Sequence, residues 1–471
     1  MSFKQQPEIV LNSKSKLLTV SLLLLLNILF LLIYEISNIF TGCGFNESVI
    51  YTFFYGIEGF DISLFLNQIL ALSLLILLLG ILCFLLPLKY LKNFRYIWPT
   101  ITLLLVLIIS HPLTNNLATL YGINLFPNTF VGELKPELHH DIKLTSKKNI
   151  IYIYAESLEA TYLSPPFFPN LIPNILELSK NSLYFTNITQ VYGTGNTIAG
   201  MVASQCSVPF DANGIPPDNE MPFMPNLYCL GDALAENGYN LNYIGGASLK
   251  FAGKGNFYRS HSFRTVDGKE TILSKQEDKN YISKWGIYDD SMFEYALNKL
   301  QKLYSSDKKF GLFLLTLDTH YPDEAQSRSC QDIKYQNGED SYLNAVHCSD
   351  YFIGEFIRKA RNLPEYKDTI IILASDHLSP NSGKFENLPS SIQRKGLFLV
   401  NNHDIAPRTV DKHSTTLDIF PTLLNILGNK QEKINLGTSM ISEHESLVAT
   451  HEDLNMELSG WSYQLKKFNG N

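Results

Sequence analysis

The distribution of apolar residues constrains this chain more than any other feature. Three runs rich in Leu and Ile fill the first quarter, roughly Leu17–Ile39, Ile62–Leu86 and Ile97–Ile109. About 20 consecutive apolar residues make a helix long enough to cross a bilayer. The first two runs meet that length. The third is shorter, but Tyr96 and Trp98 stand where aromatic rings anchor a span at the membrane interface. The first run is too long for a cleaved signal peptide, and no small-x-small cleavage site follows it. The sequence therefore predicts a three-helix transmembrane region over 1–111, a connector over 112–148 and a separate domain over 149–471.

Loop charge gives the orientation. Lys4, Lys14 and Lys16 precede the first run, and Lys89, Lys92 and Arg95 lie between the second and third. The loop from Thr41 to Asp61 carries Glu47, Glu58 and Asp61 but neither Lys nor Arg. Positive residues stay in the cytoplasm, so the N-terminus is expected inside and everything after Ser110 outside. The formal net charge of -7 excludes a general nucleic-acid binder. Cysteine usage agrees with export. Cys83 lies in a span and Cys43 in an outer loop, while Cys206, Cys229, Cys330 and Cys348 all fall in the exported part. Four cysteines allow three pairings. Cys206–Cys229 and Cys330–Cys348 are the pairs expected, because each closes a short loop between cysteines adjacent in order. The His139-His140-Asp141 run in the connector reads as solvated linker.

From Asn149 onward the pattern changes. Ile150–Ala155, Phe310–Asp318, Thr369–Ser375 and Gly396–Val400 are short, nearly continuous apolar runs, which read as buried strands of a largely parallel sheet. Helical patterns near Pro173–Asn181, Leu230–Asn237, Asp289–Leu303 and Asn344–Arg361 separate them. The alternation predicts an α/β sandwich with helices on both faces. Ligands of such sheets bind beyond the carboxyl ends of the strands. Three of those ends are polar: Glu156-Ser157, then Asp318-Thr319-His320, then Asp376-His377. Carboxylates and imidazoles gathered there suit Mn, Zn or Mg. A hydroxyl nucleophile is available at Thr197, after Gly193 and Gly195 and at the start of the helix-like TIAGMVAS. A helix N-terminus favours phosphate and developing negative charge, although a plain capping Thr has the same signature.

The runs NIIYIYAESLEATYL, GNTIAGMVASQC, GGASLKFAGKGNF, WGIYDD, TLDTHYP, ILASDH and TTLDIFPTLLNILG resemble, in order, the sulfatase-like branch of the alkaline phosphatase superfamily. Within it they are most similar to the membrane phosphoglycerol transferases of osmoregulated periplasmic glucans. Lipoteichoic acid synthases and phosphoethanolamine transferases are more distant. The resemblance implies an alkaline-phosphatase-like α/β fold behind three inner-membrane helices. It implies a divalent ion, with manganese expected, held by Glu156, Thr197, Asp376 and His377, Thr197 being also the nucleophile. Lys254 matches a basic residue for the substrate phosphate, though a lone solvated lysine would look the same, and His320 a histidine that contacts phosphoglycerol or protonates a leaving alkoxide. Asp289 and Asp418 lie in matching motifs and read as supporting residues. The implied donor is phosphatidylglycerol and the implied acceptor a glycan. Rival readings are a phosphoethanolamine transferase and a non-catalytic membrane-anchored binding protein. Against the latter stands the complete set Glu156, Thr197, Asp376 and His377. Sulfatase chemistry is rejected, because Cys206 is followed by Ser-Val-Pro-Phe and not by the x-Pro-x-Arg from which formylglycine is made.

Overall fold

The computed structural model describes residues 13–41, 45, 49, 66–90, 96–120, 134, 142–211, 214, 221–321, 325–380, 382–385, 388–389 and 391–469. Cys43 and the His139-His140-Asp141 run lie outside them. The chain divides into two compact units. The first is helical: α1 (Ser13–Thr41), α2 (Leu66–Tyr90), α3 (Ile97–Ser110) and α4 (Pro112–Leu120). Among the described residues one helix, over Ser15–Ser37, is long and apolar enough to cross a membrane. Ser73–Cys83 and Ile97–Ser110 are shorter apolar helices. Large leucines face outward on all three, including Leu22, Leu77 and Leu103, each more than half exposed. Contiguous apolar surface of this kind marks a region of contact with a membrane or another protein. Val20 packs with Ile97, Ile101 and Leu104. Asn27 Nδ2 bridges α1 to α3 by donating to the Leu104 carbonyl at 3.2 Å. That contact satisfies the only strongly polar side chain in the middle of the first apolar run.

The second unit is built on a nine-stranded sheet in the order β4-β3-β5-β1-β6-β7-β2-β8, with β9 also paired to β2. The strands are β1 (Asn149–Ala155), β2 (Leu183–Thr189), β3 (Asn240–Gly245), β4 (Thr265–Asp267), β5 (Phe310–Leu315), β6 (Thr369–Ser375), β7 (Gly396–Asn401), β8 (Arg408–Val410) and β9 (Ser414–Thr415). The neighbours β4, β3, β5, β1 and β6 are mutually parallel. β7 runs against both β6 and β2, so the sheet is mixed and not uniformly parallel. Its centre is dry on both faces, which is why the strand sequences are apolar without alternation. Ile150, Tyr152 and Tyr154 of β1 join one core cluster. Ile151, Ile153 and Ala155 join the other.

Helices cover each face. α5 (Pro173–Lys180), α10 (Asp289–Tyr304) and α11 (Ser341–Arg361) pack on the Ile151 side. On the Tyr152 side lie α6 (Thr197–Cys206), α7 (Leu230–Glu236), α8 (Lys254–Ser260) and α12 (Ile419–Ile426), while α9 (Lys269–Lys275), following β4, buries Ile272 on the Ile151 side. Cys206 is bonded to Cys229 and Cys330 to Cys348, while Cys83 is free and buried. The carboxyl ends of β1, β5 and β6 lie side by side, because Tyr154 is in register with Leu315 and Ala155 with Ser375. Whatever follows those strands must therefore meet.

Candidate active site and metal centre

Glu156 follows β1 directly, and Asp376 and His377 follow β6. One ligand atom from each lies within 4.8 Å of the others. His377 Nε2 is 3.3 Å from Glu156 Oε1 and 3.4 Å from Asp376 Oδ2. Asp376 Oδ1 accepts the backbone N–H groups of Ser157 and His377, each at 2.9 Å, whereas Oδ2 is buried without a hydrogen-bond donor. Buried polar atoms rarely go unsatisfied, so the orphan oxygen marks a place for a cation. The histidine is oriented for the same purpose. Its Nδ1–H donates to the Leu378 carbonyl at 2.8 Å, so in the neutral ring Nε2 is the nitrogen with the lone pair to offer a cation. The Leu378 N–H is in turn held by Gln190 Oε1 at 2.7 Å. Two carboxylates and an imidazole make a hard, mixed O/N donor set that fits a divalent cation.

The charges explain why a cation suits this pocket. Burial raises the Asp376 pKa to about 7, and the Glu156 carboxylate beside it adds to the rise. Burial opposes protonation of His377, but Asp376 and Glu156 outweigh it and hold the ring at about 10. Burial pushes Glu156 up, yet a hydrogen bond from His377 and the fields of His320 and His377 keep it well below the usual carboxylate range. Two buried carboxylates thus draw positive charge onto His377, as they would draw a cation.

Thr197 reaches this cluster from the other face. Its hydroxyl donates to Glu156 Oε2 at 3.1 Å, and the side chain is buried. Thr197 is not the cap of its helix. Asn196 is, its side chain accepting the Ala199 N–H at 3.1 Å. That frees the Thr197 hydroxyl from capping duty. Of the two preceding glycines, Gly193 needs its lack of a side chain: φ is +72°, and a Cβ would come within 2.5 Å of Pro209 Cβ. Gly195 has ordinary room around it. A third glycine matters more. A Cβ on Gly200 would stand 1.8 Å from the Asp376 carbonyl oxygen, so α6 presses backbone to backbone against the end of β6. Thr194, the other threonine of the motif, is fully buried and turned inward to the Val191 carbonyl at 2.7 Å.

Lys254 is 3% exposed and opens α8, after Ala252 and Gly253, both in the left-handed region. It is a buried cation and not a solvated loop lysine. Burial lowers its pKa to about 8, opposed by the fields of Glu156 and Asp376, and its Nζ lies 4.5 Å over the Phe251 ring. The His320 ring packs on Trp285 with centroids 4.1 Å apart. Burial pushes its pKa down to about 4, and its Nδ1 has no hydrogen-bond partner. Asp289 accepts the Leu317 N–H at 2.7 Å and so fixes the loop that presents His320. Asp418 accepts the N–H groups of Thr415 and Thr438 at 2.8 and 2.7 Å, as a structural residue should. The sequence reading did not single out Asn196, Gly200, Gln190 or Trp285. Only the N-cap preference of Asn and the small residue within TIAGMVAS offered any signal for them.

Several known proteins are similar to this chain. The Sulfatase family matches residues 148–429, and the family described as the N-terminal domain of phosphoglycerol transferase I matches residues 8–128. Phosphoglycerol transferase I of Salmonella agona is 34% identical over 418 residues, which is 86% of this chain and 54% of that protein. The enzyme of the same description from Escherichia coli O139:H28 is 34% identical over 419 residues, again 86% and 54%. The chain thus spans about half the length of the curated relatives it matches. Among solved structures, a lipoteichoic acid synthase from Listeria monocytogenes is 18% identical with a TM-score of 0.54, covering 70% of this chain and 95% of its own. A protein in the alkaline phosphatase superfamily from Vibrio parahaemolyticus is 23% identical with a TM-score of 0.50, covering 63% and 69%. At these identities the two structures speak for the fold alone.

Proposed function

This chain belongs to the Sulfatase family, and from that premise we propose that it transfers phosphoglycerol from phosphatidylglycerol to a glycan through a phosphothreonine intermediate. The observation that carries the reading is the Thr197 hydroxyl, 3.1 Å from Oε2 of Glu156, a carboxylate that is itself grouped with Asp376, one of whose oxygens has no donor. The phosphoglycerol transferase I relatives, 34% identical over most of this chain, supply the substrate class.

Glu156, Asp376 and His377, with Thr197, would hold the divalent ion, manganese being the one expected. When bound, the ion lowers the pKa of an alcohol and neutralises charge on a phosphoryl group. The remaining work belongs to the chain. Thr197 gives up its proton toward Glu156 and attacks the phosphorus of the lipid, at the positive end of α6. Lys254 supplies one positive charge for the phosphate oxygens, as a point charge and not a planar fork. His320, neutral near pH 7 because burial disfavours its charged form, is suited to take a proton from the incoming sugar hydroxyl. The phosphorus–oxygen bond to diacylglycerol breaks as the bond to Thr197 Oγ1 forms, and the departing alkoxide takes up the proton that Glu156 received. The sugar oxygen then attacks the phosphorus, Thr197 leaves and recovers its proton from His320, and the phosphoglycerol departs on the sugar.

Three membrane helices, an N-terminus in the cytoplasm and an exported catalytic domain complete the proposal. The Lys/Arg asymmetry of the loops and the two disulfides support them. The lipid donor then meets the site at the outer leaflet. Incubation of detergent-solubilised protein with phosphatidylglycerol, followed by peptide mass spectrometry, tests the core of the reading. Glycerophosphate should appear on the peptide containing Thr197. An adduct elsewhere, or none with turnover intact, defeats it.

A further inference from the structure

A second ionic cluster lies behind the metal ligands. Glu159 stands three residues beyond Glu156 and is fully buried. Arg394, from the segment leading into β7, grips it with two nitrogens: Nε donates to Oε2 at 3.0 Å and Nη2 to Oε1. The Thr161 hydroxyl donates to Oε2 at 2.7 Å. The same pair takes hold of Ser379, two residues beyond His377, at both polar groups of its backbone. The Ser379 N–H donates to Glu159 Oε1 at 3.2 Å, and the Ser379 carbonyl accepts from Arg394 Nη2 at 2.6 Å. Its hydroxyl accepts from Tyr342 at 2.6 Å, and Tyr342 accepts from Tyr162 at 3.1 Å. Arg394 also lies 3.8 Å over the Phe385 ring. Between Glu156 and Glu159, Ser157 takes a left-handed backbone at φ +56°, which a non-glycine residue adopts only when its surroundings enforce it.

We propose that the Glu159–Arg394 pair is a positioning clamp for the metal centre, fixing the 156–159 and 376–379 turns to each other so that Glu156 and His377 converge. The inference rests on the metal role given above to Glu156, Asp376 and His377. Geometry makes Arg the required cation. Lysine carries a single nitrogen, a point charge, and cannot place two nitrogens in plane against the two carboxylate oxygens. Neither residue belongs to the ligand set assigned above, so the clamp acts through ligand placement. Residues in that relation to a metal alter its affinity by roughly 10- to 100-fold when replaced.

The test is Mn2+ binding to the full-length protein in detergent, by calorimetry and by the electron paramagnetic resonance of free Mn2+. R394K keeps the charge and loses the fork. E159Q/R394M removes both buried charges, which folded proteins often tolerate better than the loss of one. The expected result is Mn2+ affinity lower by 10-fold or more in both variants, with the melting temperature of E159Q/R394M near wild type. Wild-type affinity in either folded variant overturns the clamp, provided E156A has lost binding in the same assay. If E156A binds as tightly as wild type, the metal assignment fails, and the clamp's role falls with it.

Discussion

Replacing Gly200 by alanine should cripple the site while barely touching the fold. The added Cβ would sit 1.8 Å from the Asp376 carbonyl oxygen and 2.7 Å from its carbon. Ordinary C···O approaches are about 3.3 Å or longer, so the backbones of α6 and the β6 end must part by about 1.5 Å. Both partners are main chain, and no flexible side chain can yield instead. Thr197 rides on the first turn of α6 and Asp376 on the other surface, so the full separation enters the nucleophile–ligand distance. Misplacement by about 1 Å costs on the order of 10²-fold in rate. Stability should change far less. Alanine gains about 1 kcal/mol of helix propensity over glycine, and overpacking costs roughly 1–3 kcal/mol. The assay is diacylglycerol release from fluorescent phosphatidylglycerol, beside a thermal melt of the same preparation. The expected outcome is a kcat lower by 100-fold or more with a melting temperature shifted by a few degrees. A G200A protein that turns over within threefold of wild type would show that the close approach is not what holds Thr197 on target.

Other outcomes follow from the same geometry. T197A should lose transfer by several orders of magnitude and T197S should keep a fraction. H320A should fall only about 10²–10⁴-fold, in the class of a lost acid or base; equal losses for T197A and H320A in single-turnover assays would contradict the separate roles. Excess EDTA should stop turnover and Mn2+ restore it, and E156A, D376A or H377A should each lose the metal response while remaining folded by circular dichroism. His320 also predicts a pH effect. Its folded pKa is about 4 against 6.5 for the free side chain, so the unfolded chain binds more protons between those values. The stability it contributes is complete above pH 6.5 and is lost as pH falls through 4. Melting temperatures of H320Q should therefore decline less than wild type between pH 6.5 and 4, and parallel curves would refute this. Removing the Cys206–Cys229 bridge, 23 residues apart, should cost about 3 kcal/mol by loop-closure entropy, read as a lower denaturation midpoint in C206S/C229S.

The parts of this molecule legible in the sequence share one property, that local pattern and chemistry coincide. β1, β5 and β6 announce themselves as apolar runs because the sheet centre is dry on both faces. Glu156, Asp376 and His377 announce themselves because they end such runs. An apolar run carries no direction, and so the reversal of β7 could not be read from GLFLV. β2, β3 and β4 were missed for another reason. Sequences such as Leu183–Thr189 and Asn240–Gly245 mix Asn and Thr with the apolar residues, and without partners they look like turns. Lys254 looked no different from a solvated lysine, because burial is a property of what packs around it. Gly200 and Glu159 were invisible in the same way. One matters for the atom it lacks opposite Asp376, the other for an arginine 235 positions away.

Helix α6 is fastened at both ends. Asn196 and the Gly200 contact pin its start, and its last residue, Cys206, is bonded to Cys229, with Ser207 beyond it in a left-handed turn that donates its hydroxyl to the Leu417 carbonyl. A strut held this way has no free end from which to swing. On the reaction proposed above, which takes a lipid and then a sugar, the site cannot make room for the second by tilting Thr197. Adaptation to a new acceptor is accordingly confined to the rim of loops around the strut, where sequence can drift without re-aiming the hydroxyl. Breadth of substrate and constancy of chemistry are assigned to different pieces of backbone.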